Sequence, residues 1–251
     1  MGRKGIARIE VAQRTHMQNL IQPSRLFLIS PATAHGPRAQ ALRRHDSRSS
    51  LAQRLREEGV PLGDVFSFVS GLYFRGKLEY ARAFAHAPGD EAGGVYIITM
   101  TDGLVSSDAR VSSQDLERYA RCEGGPTTAV STLEATARSL AGRIGELAEV
   151  VLLGSVGTGK YTDLLAPVFG ERLLFPRDVL HIGQLARGAL FLQRAREGKE
   201  LEYVPVREIV RAGRRVSIGP ESAPSREAAS KETPSHATPP STADATADFR
   251  R

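Results

Sequence analysis

The sequence predicts an α/β fold: an open, mostly parallel sheet of about four to five strands flanked by helices, with a disordered C-terminal tail. Two observations carry this. Three short, almost continuously apolar runs, "RLFLIS" (25–30), "GVYIITM" (94–100) and "EVVLLG" (149–154), each lead into small, polar or glycine residues. Unbroken apolarity suits strands covered on both faces, the usual condition of a parallel sheet. Between the runs lie stretches whose apolar residues recur at helical spacing, so strand and helix alternate.

The elements follow in order. Residues 1–24 read as a loose basic arm, within which "ARIEVAQ" suits pairing at a sheet edge. After the first strand, Pro31 in "LISPAT" holds the chain extended, and "RRHDSRSS" (43–50) is a solvated loop. "SSLAQRLREEG" (49–59) is a helix with Leu51 and Leu55 four apart, ending on Gly59 as a C-cap. "GKLEYARAFAHA" (76–87) places Leu78, Ala81 and Ala85 on one helical face, and "TLEATARSLAGRIGELA" (132–148) places Leu133, Ala137, Leu140 and Ile144 on another. "YTDLLAPVFG" is a short helix limited or kinked by Pro167. "LFP" and "EYVPV" are minor strands, and "IGQLARGALFLQRARE" (182–197) is the last helix, with cations where its dipole favours them. From Gly219 the chain is rich in Ser, Thr, Pro and Ala and almost empty of large apolar residues. Such a tail buries too little surface to offset its ordering entropy. The organisation is therefore an arm (1–24), one α/β domain (25–218) and a tail (219–251).

Composition narrows the function classes. Of 251 residues, 41% are hydrophobic, enough for a core. No apolar run reaches the roughly 18 residues of a membrane span, and the first twenty residues lack a signal-peptide centre, so the cytoplasm is the expected location. One cysteine, Cys122, excludes an internal disulfide and a multi-cysteine metal site. The six histidines have no metal-ligand spacing, and no metal or cofactor is assigned. A formal net charge of +6 favours polyanionic partners, nucleotides or nucleic acid.

In open α/β sheets, ligands gather outside the carboxyl ends of the strands. The candidate residues lie in the turns there. "VVLLGSVGTGKYTDLL" fits the G-x-x-x-x-G-K part of a P-loop through Gly154, Gly159 and Lys160. The next residue, Tyr161, cannot replace the small hydroxyl that ligates Mg²⁺, which disfavours an NTPase. An anion-binding turn remains, with Gly154, Ser155 and the amides of Gly157 and Gly159 facing an anion that Lys160 neutralises. A purely structural glycine turn remains beside it.

"SGLYFRGKLEYARAFA" (70–85) packs Tyr73, Phe74, Arg75 and Lys77 together. One reading is a base-stacking ring, Tyr73, beside phosphate-binding cations. The other makes Tyr73 and Phe74 core anchors and leaves Arg75 and Lys77 in water. In "TMTDGLV", Thr101, Asp102 and Gly103 offer either a hydrogen-bonding carboxylate, with Asp102 as a general base, or an ordinary Asp-Gly turn. Ser30 ends the first strand and has no G-x-S-x-G around it, which argues against a hydrolase nucleophile.

Taken in order, "LFLISPAT", "LYFRGKLEYARAF", "VYIITMTDGLVSSDARVS", "VVLLGSVGTGKYTDLL" and "FPRDVLHIGQLARGALFL" resemble a family of small uncharacterised bacterial and phage α/β domains. These are more distantly similar to the peroxide-stress protein YaaA. The matching positions are Ser30, Tyr73, Gly103, Leu104, Lys160, Tyr161 and Gly183. The chain departs from the family pattern at Met100 and Thr101, where a Ser-Ala pair is usual, and it lacks a Pro-Tyr after "GLV". The resemblance implies the fold, and a connection with DNA protection under oxidative stress. The leading expectation is thus a nucleotide- or nucleic-acid-binding α/β domain. The alternatives are a base- or nucleoside-processing enzyme in the same cleft, a P-loop NTPase, or an interaction module without a small ligand.

Overall fold

Sheet order follows from the apolar strands. A computed structural model describes residues 23–89, 92–122 and 128–217. All but the last two residues of the expected arm, with its edge-pairing stretch, and the tail from 219 lie outside the described residues. The three apolar runs form β1 (Arg25–Ile29), β3 (Val95–Thr99) and β6 (Glu149–Leu153). β1 lies between the other two and is parallel to both, in a register that runs from Arg25 opposite Glu149 to Ile29 opposite Leu153. β7 (Leu173–Pro176) continues the parallel set beyond β6. Antiparallel strands close both edges: β4 (Gly103–Ser106) on β3, and β8 (Tyr203–Pro205) on β7. The order is β4-β3-β1-β6-β7-β8, an open and mostly parallel sheet, one strand larger than expected. The extra strand, β4, comes from the "TDGLVSSD" stretch read as a turn. A short pair, β2 (Val60–Pro61) with β5 (Arg110–Val111), stands apart from it.

Helices cover both faces. α1 (Pro37–Arg43), α2 (Ser50–Glu57), α3 (Leu62–Ser70) and α4 (Leu72–Phe84) lie between β1 and β3. α5 (Ser113–Cys122) and α6 (Thr128–Ile144) lead to β6, and α7 (Thr162–Phe169) leads to β7. α8 (Gln184–Glu197) precedes β8, and α9 (Val206–Ser217) follows it, so the expected last helix is not the last. β1 passes the chain to one side and β6 to the other. Right-handed crossovers then put α4 on one face and α6 and α7 on the opposite face. α4 packs along α8, and α6 along α7, in keeping with this.

Side-chain phase matches the expected helix faces. Leu133, Ala137, Leu140 and Ile144 are all buried, as are Leu78 and Ala81. Arg43, expected in a loop, ends α1, whose start is favoured by Pro37 in its first turn. α5 was hidden by its polarity. A reciprocal cap starts it: the Ser112 hydroxyl accepts from the Asp115 amide at 3.3 Å, and the Asp115 carboxylate accepts from the Ser112 amide at 2.8 Å.

The α4–α8 contact is unusually close because glycine faces glycine. A Cβ on Gly76 would stand 2.4 Å from the Gly188 carbonyl oxygen, and one on Gly188 would stand 2.8 Å from the Tyr73 Cα. This approach brings the start of α8 against the first turns of α4.

Candidate functional site at the sheet switch point

The chain leaves β1 towards β3 and leaves β6 towards β7, so a crevice opens between the carboxyl ends of β1 and β6. Such a reversal is where open α/β sheets receive ligands. Here it holds a cavity of about 440 Å³. Ser30 and Thr33 line it from the β1 turn, Ser155 and Tyr161 from the β6 turn, Tyr73 and Lys77 from α4, and Gly183, Gln184 and Arg187 from the start of α8.

Each wall has a local cause. The Ser30 amide donates to the Leu153 carbonyl at 3.0 Å, which extends β1–β6 pairing one residue past the strands. Gly154 sits directly beside it, and a Cβ there would come within 3.0 Å of the Ser30 Cβ. Arg187 is anchored by its own turn: Nε donates to the Ile182 carbonyl at 2.7 Å.

The floor is Lys77. It is only 2% exposed, which corrects the reading that left this cation in water. Its Nζ donates to the Ser30 carbonyl at 2.8 Å and meets the Ser30 hydroxyl at 2.6 Å. The same nitrogen lies 4.6 Å from the Tyr73 ring centroid and 5.4 Å from that of Phe74. No carboxylate pairs with it among the described residues. Burial disfavours the charged form and pulls its pKa down to about 7. Phe74 is buried, edge-on to Phe66 at 5.6 Å, and is the core anchor expected of it.

Of the residues singled out from sequence, Ser30, Tyr73, Ser155 and Tyr161 line this cavity, and Gly154 backs Ser30. The others stand elsewhere. Asp102 is gripped by Arg118, whose guanidinium donates to both carboxylate oxygens at 2.6 and 3.0 Å, and by the Tyr119 hydroxyl at 3.1 Å. The two carboxylates on Arg118, Asp115 and Asp102, raise its pKa, while burial and then Asp102 raise that of Tyr119. Thr101 shares the Asp102 turn. Gly103 is packed under α6: a Cβ would lie 2.2 Å from the Thr136 Oγ1, and its φ of +69° favours glycine. Arg75 faces a separate hollow with Glu79, Arg82 and Arg196 between α4 and α8.

The glycine turn does not form an open anion cradle. Gly159 has a φ of +71°, and the Asp163 carboxylate folds to within 2.6 Å of where its Cβ would be. That negative charge opposes a phosphate at the turn. Gly157 and Lys160 lie outside the cavity lining, and the exposed Lys160 has its Nζ 5.3 Å from the Tyr161 ring centroid. The P-loop-like lysine thus stands outside the switch-point cavity.

Sequence reasoning missed Gln184 and Arg187 as site residues, and offered Lys77 only as one of two phosphate-binding cations beside Tyr73, not as a buried amine. For Lys77 a signal existed: it falls on the same stripe as Phe74, Leu78 and Ala81, a charge where the helix faces the core. For Arg187 there was none, since only the glycine contact between α4 and α8 brings it near.

Fold and cavity together define an open α/β protein with a polar site at its switch point. Comparison with known protein families, curated proteins and solved structures finds no match.

Proposed function

We propose that this protein binds a nucleotide, or a base and phosphate of a nucleic acid, in the switch-point cavity. One observation carries the reading: a flat ring, Tyr73, stands beside a buried amine, Lys77, in a cavity whose lining also holds Arg187 and, among the described residues, no carboxylate. Stacking on the ring and a basic surround suit a planar, anionic ligand. The cavity is within the size range of small-molecule sites. The anion partner on the lining is thus Arg187, with the Lys77 amine behind Ser30 adding to the basic surround, in place of Lys160 and the amides of residues 157–159. Ser30, Tyr73, Tyr161 and Gly183, which carry the resemblance to the YaaA-like domains, all line this cavity, and membership of that family is part of the proposal.

Thermal unfolding with AMP, GMP, adenine and a short single-stranded oligonucleotide tests it, since a ligand of the folded state raises the melting temperature. We expect at least one to do so, with affinity falling about tenfold or more in Tyr73→Ala, the usual cost of losing a stacking ring. No shift from any of the four overturns the reading.

A further inference from the structure

We infer that Ser30 and Lys77 form a serine–lysine catalytic pair, with the Ser30 hydroxyl as nucleophile and Lys77 as its general base in acyl transfer. The inference uses the same cavity as the binding proposal but adds a reaction to it. The two side chains are already in contact, with 2.6 Å between Nζ and Oγ. Their access differs in the sense the chemistry requires. Ser30 is partly exposed to the cavity, whereas Lys77 lies behind it and is nearly sealed from solvent. A substrate would therefore meet the oxygen, not the amine, which disfavours a Schiff base on Lys77. The second bond of Nζ, to the Ser30 carbonyl, fixes the amine against the residue it serves. Gly154 leaves the flank of Ser30 free of a side chain.

The absence of a G-x-S-x-G elbow does not weigh against this arrangement. An elbow exposes a serine to a histidine base, and lysine serves as the base in another known constellation. Other charged or titratable groups facing the cavity are Tyr73 on α4, Tyr161 after β6 and Arg187 on α8. None of these is an acid that would hold Lys77 permanently protonated.

The steps balance without a metal or redox partner. Neutral Lys77 takes the Ser30 proton as Oγ bonds to the carbonyl carbon of an ester or related acyl compound, and the carbonyl π pair moves to oxygen. Gln184 and Arg187, which line the same cavity, are the side-chain donors for that oxyanion in this scheme. Collapse restores the carbonyl and breaks the bond to the leaving group, which departs with the proton from the Lys77 ammonium. Water then repeats the sequence, giving its proton to Lys77. The carboxylic acid leaves, and Ser30 recovers its proton from Lys77.

The test treats the full chain with diisopropyl fluorophosphate and, separately, with p-nitrophenyl acetate, and maps modified residues by mass spectrometry. We expect one modification, at Ser30. It should be absent in Ser30→Ala and slowed about 10²- to 10⁴-fold in Lys77→Met, the usual range for loss of a general base. The wild-type rate should climb through pH about 7, where Lys77 loses its proton. Thermal unfolding of both variants establishes that they are folded. Folded wild type modified by neither reagent overturns the pair, as does modification elsewhere or a Lys77→Met variant that reacts at the wild-type rate. A nucleotide shift that survives such a failure leaves the binding proposal standing, and labelling without any nucleotide shift does the reverse.

Discussion

The two ends of the same strands treat buried polar groups in opposite ways. At the amino end, Arg25 opens β1 and is shared between Glu149, at 2.6 Å, and Glu200. Close by, the hydroxyls of Tyr80 and Tyr203 meet at 2.6 Å, and Tyr80 also accepts from the Leu201 amide at 2.8 Å. Every one of these groups is answered by another part of the chain. At the carboxyl end, Lys77 lies one helical turn from Tyr80 on α4 and is as deeply buried. Its partners are a carbonyl, a hydroxyl and aromatic faces, with no acid among the described residues. Burying a cation without a counter-charge is costly, and the paired end shows that this fold can supply acids where it needs them. The difference separates an end of the sheet fastened by paired charges from an end that holds a cavity over an unpaired buried amine.

The sharpest way to break that contrast is through pH. The gap between an ordinary lysine near 10.5 and Lys77 at about 7 corresponds to about 4–5 kcal/mol. Below pH 7 both folded and unfolded chains hold the proton, and the folded form bears the whole cost. Between pH 7 and 10.5 the unfolded state binds more protons, so stability gains about 1.4 kcal/mol per pH unit from this residue. Denaturant unfolding of wild type and Lys77→Met across this range isolates it, because other groups cancel in the difference. Wild type should gain on the variant as pH rises. A flat difference means that Lys77 is charged and compensated, as Arg25 is.

A smaller effect sharpens the contrast geometrically. The open end depends on α8 approaching α4 through Gly188. Gly188→Ala places a methyl group 2.8 Å from the Tyr73 backbone and should cost about 1–3 kcal/mol in unfolding. It should also push Arg187 from the cavity and weaken whichever ligand raises the melting temperature. The paired end, held by ions across strands, should keep its hydrogen-exchange protection. Equal loss at both ends would mean that the glycine contact supports the fold as a whole and not the site.

These two residues also mark what the sequence can and cannot convey. The strands were legible because a parallel sheet needs unbroken apolar runs, and α6 because its buried face repeats at helical spacing. The burial of Lys77 was not foreseen, because a cation on a helix is usually solvated and only its phase against Phe74 and Ala81 betrays it. The cavity's second wall has no one-dimensional trace, since Gly76 and Gly188 are far apart in the chain. Asp102 looked free because Arg118 comes from α5, too polar a helix to stand out. The surroundings of the Lys160 turn were hidden for a similar reason: G-x-x-x-x-G-K is a local spacing, and the Asp163 carboxylate that folds against Gly159 lies just past the motif.

The smallest expected effects concern those last two residues. Asp102→Asn weakens a pair with Arg118 that is partly open to solvent, so about 1 kcal/mol or less should be lost. Lys160→Ala removes an exposed amine from a turn and should change stability by no more than about 0.5 kcal/mol. Neither should alter nucleotide affinity or Ser30 modification more than about twofold, as read by thermal unfolding and mass spectrometry. Their value lies in being nearly silent. If either substitution lowers ligand response tenfold while the protein stays folded, the functional rim extends to the β3 or β6 turn. Paired side chains would then belong to the site, and the presence of an acid would no longer separate the fastened end from the open one.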